Sequence, residues 1–237
     1  MSELIRPSTV LPANRRPISI KTADGLNLIG EVASPIGDRV ASILCLHPLP
    51  TAGGMMDSHV YKKAANRLPS MTGIEIIRFN TRGTTSEAGT SDGNFGEGVT
   101  ERFDVEAAIE FSFKELGVQT LWVMGWSFGT DLALKFARDP RIAGLILLSP
   151  PLRTSELSDL EFWAKDGRPI TALIPEFDDY LQPAAAAKAF EIVSQINLIN
   201  VDEAKHLWVG EPYVHRVLSE IVRIIAPARL PLPTELP

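Results

Sequence analysis

Apolar runs recur along the chain between polar segments and predict eight β-strands. The first two strands, residues 17–21 and 26–32, flank an Ala-Asp-Gly turn and form an antiparallel hairpin. Six further runs are nearly continuous in apolar residues, as expected of strands that are covered on both faces: 40–46, 74–79, 121–124, 142–148, 169–174 and 196–201. These six runs predict the buried centre of one sheet.

Helical segments lie between the later strands. Helical spacing of apolar residues, together with starting residues such as Pro183, predicts helices at 59–68, 101–116, from about 130, 183–194 and 212–225. A hairpin followed by alternating strands and helices predicts an α/β fold with a mostly parallel, doubly wound, eight-stranded sheet. In such a sheet the functional site lies at the carboxyl ends of the strands.

The length and pattern of the sequence predict a single domain over residues 16–226. Residues 1–15 are expected to form an extended leader, and the Pro-rich residues 227–237 an extended or disordered tail. About twenty residues, 150–168, separate the strand 142–148 from the next one, which is shorter than a cap domain requires. We therefore expect no large cap domain and a pocket that is open or partly shielded, with Phe162, Trp163, Trp126 and Trp208 as candidate wall or core residues.

Composition and charge limit the classes of protein to which the chain can belong. Hydrophobic residues make up 45% of the chain and charged residues 22%, as in ordinary globular domains. A formal net charge of −6 and the lack of a dense basic run disfavour a nucleic-acid partner. No apolar run is long enough for a membrane span, and the N-terminus lacks the apolar core of a secretory signal. The single cysteine, Cys45, is expected to be a buried thiol. Together these features predict a cytoplasmic protein.

The pentapeptide Gly125-Trp126-Ser127-Phe128-Gly129 is a G-x-S-x-G motif between a predicted strand and a predicted helix. This strand–turn–helix setting is the one in which the motif forms a nucleophile elbow, with the serine hydroxyl exposed at the edge of the sheet. A side chain at either glycine would collide with the neighbouring strand or helix. Ser127 is therefore the candidate nucleophile.

A serine nucleophile needs a base, and the base needs an acid that orients it. On this type of sheet the chain order is serine, acid, histidine. His206 lies just after the last predicted strand and is the candidate base, whereas His215 lies on the final helix and His59 opens the first one, where we expect it to be exposed. For the acid, counting forward from the strand 169–174 favours Asp178, and counting back from Pro183 favours Asp179. We prefer Asp178 and keep Asp179 as the alternate.

An oxyanion hole requires two backbone N–H groups that point at the developing negative charge. Phe128, the residue after the serine, is one candidate donor. The other should come from the loop HPLP after Cys45, in which the two prolines have no N–H. Leu49 is then the natural second donor. No Gly-rich phosphate motif and no Cys/His cluster with metal spacing is found in the sequence, so we expect neither a cofactor nor a metal.

Four segments resemble the α/β-hydrolases, in particular the small lid-less bacterial serine hydrolases related to dienelactone hydrolase and to the catalytic domain of prolyl oligopeptidases. LHPLPTAGGMMDS resembles that group's HPHP…GG-x-M-x-N loop, and RFNTRGTTSEAG…GEG resembles its RFNFRG…SEG…G-x-G-E segment. GWSFG matches the elbow, and AKHLWVGE resembles the A-[DE]-H-F-F-x-G histidine loop. The resemblance covers roughly residues 25–225. Two departures are Leu49 in place of the second histidine of HPHP and PEFDD in place of H-G-x-x-D before the acid.

The resemblance implies an α/β-hydrolase fold, a Ser127–Asp178–His206 triad and hydrolysis of carboxylic esters or related acyl bonds in a small-molecule substrate. Two alternatives stay open. One is a non-hydrolytic enzyme on the same scaffold, namely an acyl transferase, a perhydrolase or a lyase. The other is a non-catalytic ligand-binding protein of this fold. Reactivity of Ser127 and the choice between water and added acceptors distinguish them. The oligomeric state is not predicted.

Overall fold

A computed structural model describes residues 4–235 of the protein. The predicted eight-stranded, mostly parallel sheet is confirmed, and its strands run in the spatial order β1-β2-β4-β3-β7-β8-β9-β10. A separate two-stranded ribbon is formed by β5 and β6. The strands are β1 Asn14–Lys21, β2 Asn27–Ser34, β3 Ala41–Leu46, β4 Ile74–Phe79, β5 Thr85–Ser86, β6 Gly89–Thr90, β7 Leu121–Trp126, β8 Ile142–Leu148, β9 Ile170–Phe177 and β10 Ile196–Lys205.

Antiparallel pairing is confined to the strands β1, β2 and β4 at one side of the sheet. β1 pairs with β2 and β2 pairs with β4 in antiparallel fashion, whereas the pairs from β4 through β3 to β10 are parallel. Parallel pairing directs the carboxyl ends of β3, β7, β8, β9 and β10 to one edge of the sheet. Any site built from the loops after these strands must lie at that edge.

Helices cover both faces of the sheet. They are α1 His59–Thr72, α2 Glu101–Lys114, α3 Phe128–Phe136, α4 Leu157–Asp166, α5 Pro183–Ala189 and α6 Glu211–Ile225. One cluster of buried hydrophobic residues contains side chains from α2 to α5, and a second cluster contains side chains from α1 and α6. The two clusters account for the nearly continuous apolar character of the central strands, because each such strand contributes side chains to both.

The predicted segments match the observed ones with a few differences. β9 and β10 extend three and four residues beyond their apolar runs, because pairing continues through the exposed Glu176 and Phe177 of β9 and the mostly polar residues 202–205 of β10. The helix α4 was not predicted. Its N-terminus has a capping box in which Glu156 and Asp159 exchange hydrogen bonds with each other's backbone, although neither residue is of the type that the usual sequence signature has at its position. No separate cap domain is present among the described residues.

α1 continues for three residues beyond Pro69, although proline usually ends a helix. Proline has no N–H, so the carbonyl of Ala65 loses its usual helical donor. The Arg15 guanidinium of β1 donates to that carbonyl at 2.7 Å. A long-range hydrogen bond therefore replaces the missing local one, which explains why the predicted end of this helix at residue 68 is too early.

The two ends of the described chain meet. Leu4 forms an antiparallel bridge with Glu235, and the N–H of Ile5 donates to the carbonyl of Thr234 at 2.8 Å. Leu232 is buried. The first strand begins at Asn14, inside the segment predicted as a leader. The outermost residues of the predicted leader and tail, 1–3 and 236–237, lie outside the described residues, and the division into leader, domain and tail stays a prediction.

Within residues 4–235, no helix has both the length and the apolar character that crossing a bilayer requires.

A buried ion pair attaches the loop after β4 to α2. Arg82 donates to Asp104 from Nε at 2.9 Å and from Nη2 at 2.7 Å, and its backbone N–H donates to the same carboxylate at 2.8 Å. The Asp104 side chain is fully buried, whereas Asp24, the second partner of Arg82, is 32% exposed. Removal of Asp104 would leave a buried guanidinium without its main partner.

Asp104→Ala should therefore lower the free energy of unfolding by about 3–5 kcal/mol, the usual consequence of breaking a buried pair from one side. Asp24→Ala is the matched control, with an expected loss of about 1 kcal/mol because solvent screens that pair. Urea titrations of both variants measure the two values. Equal losses would show that burial of the Arg82–Asp104 pair has no special energetic weight.

Candidate active site

Ser127 lies in a sharp turn between β7 and α3, at the carboxyl edge of the sheet. Its backbone angles are φ 52° and ψ −121°, a region that side-chain-bearing residues rarely occupy. A Cβ on Gly125 would lie 2.3 Å from the carbonyl oxygen of Gly129, and a Cβ on Gly129 would lie 1.9 Å from the carbonyl oxygen of Leu46. Both glycines are therefore needed for α3 to pack this closely against β7 and the end of β3.

The structure brings Ser127, His206 and Asp178 into one chain of hydrogen bonds. The Ser127 hydroxyl lies 2.8 Å from Nε2 of His206, and Nδ1 of His206 lies 2.9 Å from Oδ2 of Asp178. The imidazole is 7% exposed and the Asp178 side chain 1%. This arrangement fits a tautomer in which Nδ1–H donates to the carboxylate, so that Nε2 is free to accept the serine proton.

Asp178, and not Asp179, is the carboxylate at His206. Its other oxygen, Oδ1, accepts the N–H groups of Tyr180 at 2.8 Å and Leu181 at 3.1 Å. Burial raises the pKa of Asp178, but the His206 contact and the two N–H donors outweigh it, so that the net pKa is below the ordinary value. The carboxylate is thus ionised at neutral pH. Asp179 is exposed.

Three side chains hold the loop of His206, a role that sequence reasoning gave to none of them. The indole Nε1 of Trp126 and the hydroxyl of Ser149 both donate to the His206 carbonyl, each at 3.1 Å. Nε2 of His59 lies 2.7 Å from the carbonyl of Leu207. The expectation that His59 is exposed is wrong, because it is half-buried with its ring 5.3 Å from that of Trp126.

The two candidate oxyanion donors, Leu49 and Phe128, line the same cavity as Ser127. Phe128 is the first residue of α3, where an N–H has no acceptor within the helix. Leu49 precedes a short 3-10 helix at Pro50–Ala52. Gly54 packs so tightly behind it that an added Cβ would lie 2.1 Å from the Pro48 carbonyl oxygen. The loop is therefore stiff on both sides of Leu49.

His47 anchors the start of this loop. Its Nε2 accepts the N–H of Thr81 at 3.0 Å, so Nδ1 carries the proton and donates to the Pro48 carbonyl at 2.7 Å. Burial lowers the pKa of His47 to about 4. The ring is neutral at physiological pH, and a second proton would displace the Thr81 N–H from Nε2.

The site opens into a cavity of about 500 Å³, a size suited to a small molecule. Apolar side chains form most of its wall, and charged side chains lie at Glu97, Asp131 and Arg153. Within the described chain, Phe162 and the tryptophans 126, 163 and 208 are not among the lining residues, and these tryptophans are fully buried core residues.

Across residues 4–235, no group of three His, Cys, Asp or Glu side chains is placed to hold a metal ion. Cys45 is buried, as expected, and burial raises the pKa of its thiol well above the ordinary range. The expectation of no cofactor stays a prediction.

The backbone strain at Ser127 can be measured without any substrate. Glycine adopts this conformation freely, whereas alanine does not, and such strain amounts to about 1–3 kcal/mol. Ser127→Gly should therefore be more stable than Ser127→Ala by about 1 kcal/mol in urea unfolding. At the exposed helical position Ser70 the order should reverse, with glycine the less stable by about 1 kcal/mol. The same order at both positions would contradict strain at the turn.

His47 should make the protein sensitive to mild acid. Because its pKa is lowered from 6.5 to about 4 in the folded state, its contribution to stability is complete above pH 6.5 and is lost as the pH falls toward 4. The loss should reach roughly 3 kcal/mol. Free energies of unfolding measured at several pH values should decrease less steeply in His47→Gln than in the wild type. Parallel pH profiles would contradict this assignment.

Comparisons with known proteins identify the fold and the family of this chain. The family model described as alpha/beta hydrolase fold matches residues 41–188, which is more than half of the chain. No curated protein matches the chain in sequence.

Solved structures match nearly the whole chain. An α/β serine hydrolase without a lid from Xanthomonas campestris is 25% identical, with a TM-score of 0.70 over 92% of this chain and 97% of that one. An α/β serine hydrolase homologue from Coxiella burnetii is 24% identical, with a TM-score of 0.72 over 92% and 100%. An esterase from Pyrococcus furiosus is 17% identical, with a TM-score of 0.72 over 93% and 99%. The last two likenesses concern the fold alone. On the strength of the matching family model, the chain belongs to the α/β-hydrolase family.

Proposed function

We propose that the protein is a serine hydrolase that cleaves carboxylic esters of small molecules through a covalent acyl-enzyme. The observation that carries this proposal is the hydrogen-bonded chain from Ser127 through His206 to Asp178, of which Ser127 and His206 line a cavity in a hydrolase fold. Each group has the geometry that its role requires: a nucleophile within hydrogen-bond reach of its base, and a base held by an ionised acid.

The first half of the reaction forms the acyl-enzyme. The Ser127 oxygen attacks the ester carbonyl carbon while its proton passes to Nε2 of His206. The tetrahedral intermediate then collapses, and the alcohol leaves with that proton from His206. Asp178 stabilises the transient imidazolium, since its carboxylate is ionised and accepts Nδ1–H at 2.9 Å.

The second half of the reaction hydrolyses the acyl-enzyme and regenerates the free enzyme. A water molecule gives a proton to His206 as its oxygen attacks the acyl carbonyl carbon. Collapse of this intermediate releases the carboxylic acid, and the proton returns from His206 to the Ser127 oxygen. His206 therefore acts as base and then as acid in each half, which its single free nitrogen allows.

The N–H groups of Leu49 and Phe128 would stabilise the negative charge that develops on the carbonyl oxygen. Both residues line the cavity, and the stiff loop around Leu49 favours donors that are in place before the substrate arrives. Loss of one such donor typically removes about 3–4 kcal/mol of transition-state stabilisation. The strained turn at Ser127 supports the same assignment, since it places the Phe128 N–H next to the nucleophile.

Labelling with a fluorophosphonate probe, read by intact mass, tests the nucleophile and the acid together. Wild type should gain one adduct, and Ser127→Ala none. Asp178→Asn should label more slowly by about two orders of magnitude or more, because His206 loses the ion that stabilises its charged form. Asp179→Asn is the matched control and should label at close to the wild-type rate.

An unlabelled wild-type protein that is folded would reject the enzyme assignment and favour a ligand-binding role. Adducts that persist in Ser127→Ala would show that another residue is the nucleophile. Ester turnover measured with and without added alcohol or peroxide then distinguishes hydrolysis from transfer to another acceptor.

A further inference from the structure

Arg153 lines the active-site cavity and has no acidic partner within 4 Å in the part of the chain that the structure describes. Its guanidinium lies 5.5 Å from the ring centroid of Tyr180, and the Tyr180 ring lies 4.6 Å from that of His206. The exposed cation of Arg153 thus lies two ring contacts from His206. Arginines elsewhere near the sheet edge, such as Arg78 and Arg82, are buried and paired with carboxylates.

The backbone that presents Arg153 is held from both sides. The carboxylate of Asp131, on α3, accepts the Arg153 N–H at 3.3 Å, the Ser155 N–H at 3.1 Å and the Ser155 hydroxyl at 2.5 Å. Nζ of Lys135 donates to the carbonyl of Thr154 at 3.0 Å. An arginine on such a fixed loop loses little backbone freedom when it binds a ligand.

The other charges of the cavity do not neutralise this guanidinium. Asp131 is buried, and its two oxygens are occupied by the three donors of the Arg153–Ser155 loop. Glu97 is exposed and, within residues 4–235, forms no ion pair with Arg153. Most of the remaining wall is apolar, and its hydroxyl groups, on Thr51, Thr154 and Tyr180, are neutral, so Arg153 is the one Lys or Arg among the described lining residues. The planar fork of a guanidinium suits a carboxylate in particular.

We propose that Arg153 is a specificity-determining residue that binds a carboxylate of the substrate. The preferred substrates are then esters that carry an anionic group on one side of the scissile bond. This inference rests on the proposed ester hydrolysis and adds the class of substrate. It concerns the shape and charge of the cavity and assigns no new step to the reaction.

Matched ester pairs test the inference. Mono-p-nitrophenyl adipate, compared with its neutral methyl ester, places the carboxylate on the acyl side. Butyryl 4-hydroxybenzoate, compared with its methyl ester, places the carboxylate on the alcohol side. For each pair the readout is the ratio of kcat/KM for the anionic ester to that for the neutral ester. The pair that responds to substitution of Arg153 identifies the side that faces it.

In Arg153→Gln this ratio should fall roughly tenfold for at least one pair, mainly through a higher KM, as expected when one charged hydrogen-bonding partner is lost. Arg16→Gln, on β1 and exposed, removes the same charge far from the cavity and should leave both ratios unchanged. Glu97→Gln should not lower either ratio, because it removes a negative charge. Equal ratios in wild type and Arg153→Gln for both pairs would overturn the inference.

A binding measurement separates this inference from the ester hydrolysis itself. Calorimetric titration of adipate into Ser127→Ala protein needs no turnover. Adipate should bind, and binding should weaken roughly tenfold when Arg153→Gln is added to Ser127→Ala. Binding of this kind without hydrolysis of any ester would support the carboxylate site and reject the esterase. Hydrolysis of the neutral esters, with adipate affinity unaffected by Arg153→Gln, would support the esterase and reject the carboxylate site.

Discussion

The close approach of α3 to the end of β3 is the constraint on which the candidate site depends. Gly129 lies so near the Leu46 carbonyl that a single added carbon would overlap it, and Gly125 faces the first turn of α3 in the same way. This packing forces the turn at Ser127 into an unfavourable conformation. In return, it places the hydroxyl, the Phe128 N–H and the loop of Leu49 around one point. The strain is therefore a consequence of bringing three backbone segments together.

His206, the candidate base, depends on a second set of contacts that comes from other elements. His206 follows the edge strand β10, whose pairing on one side alone would leave its loop loosely held. Trp126 and Ser149 both donate to the His206 carbonyl, and these residues end β7 and follow β8. The ends of β7 and β8 thus also hold the loop of His206. Their side chains fix the His206 backbone, while Asp178 fixes its ring.

Much of the fold could be predicted from the sequence because its strands are buried on both faces. Such strands give long apolar runs, and the observed β4 and β8 match the predicted limits. Where exposed residues continue a strand, as Glu176 and Phe177 do in β9, the buried apolar run ends before the strand does. The same extension explains why counting could not separate Asp178 from Asp179: the position of the acid depends on where β9 ends, and Glu176 and Phe177 belong to the strand.

Some residues of the candidate site could likewise be predicted from the sequence, and others could not. Ser127 and His206 could be named because the motif and the order of elements are local properties of the chain. The contacts of His59, Trp126 and Ser149 could not, since each joins segments that are far apart in sequence and meet only after the sheet has formed. Their types gave no signal either, because a buried tryptophan or a histidine at a helix start is ordinary in a core.

The carboxylate of Asp131 joins α3, which follows Ser127, to the loop of Arg153 in the wall of the cavity. This residue lies one turn after Ser127 on α3, and its buried carboxylate holds the backbone of Arg153 and Ser155. The start of α3, directly after Ser127, and the loop of Arg153 are therefore joined through one buried carboxylate. Only backbone N–H groups and one hydroxyl bind Asp131, so the side chain of Arg153 takes no part in this support. Replacement of that side chain therefore alters the charge of the cavity and leaves the hydrogen bonds that join Asp131 to the loop in place.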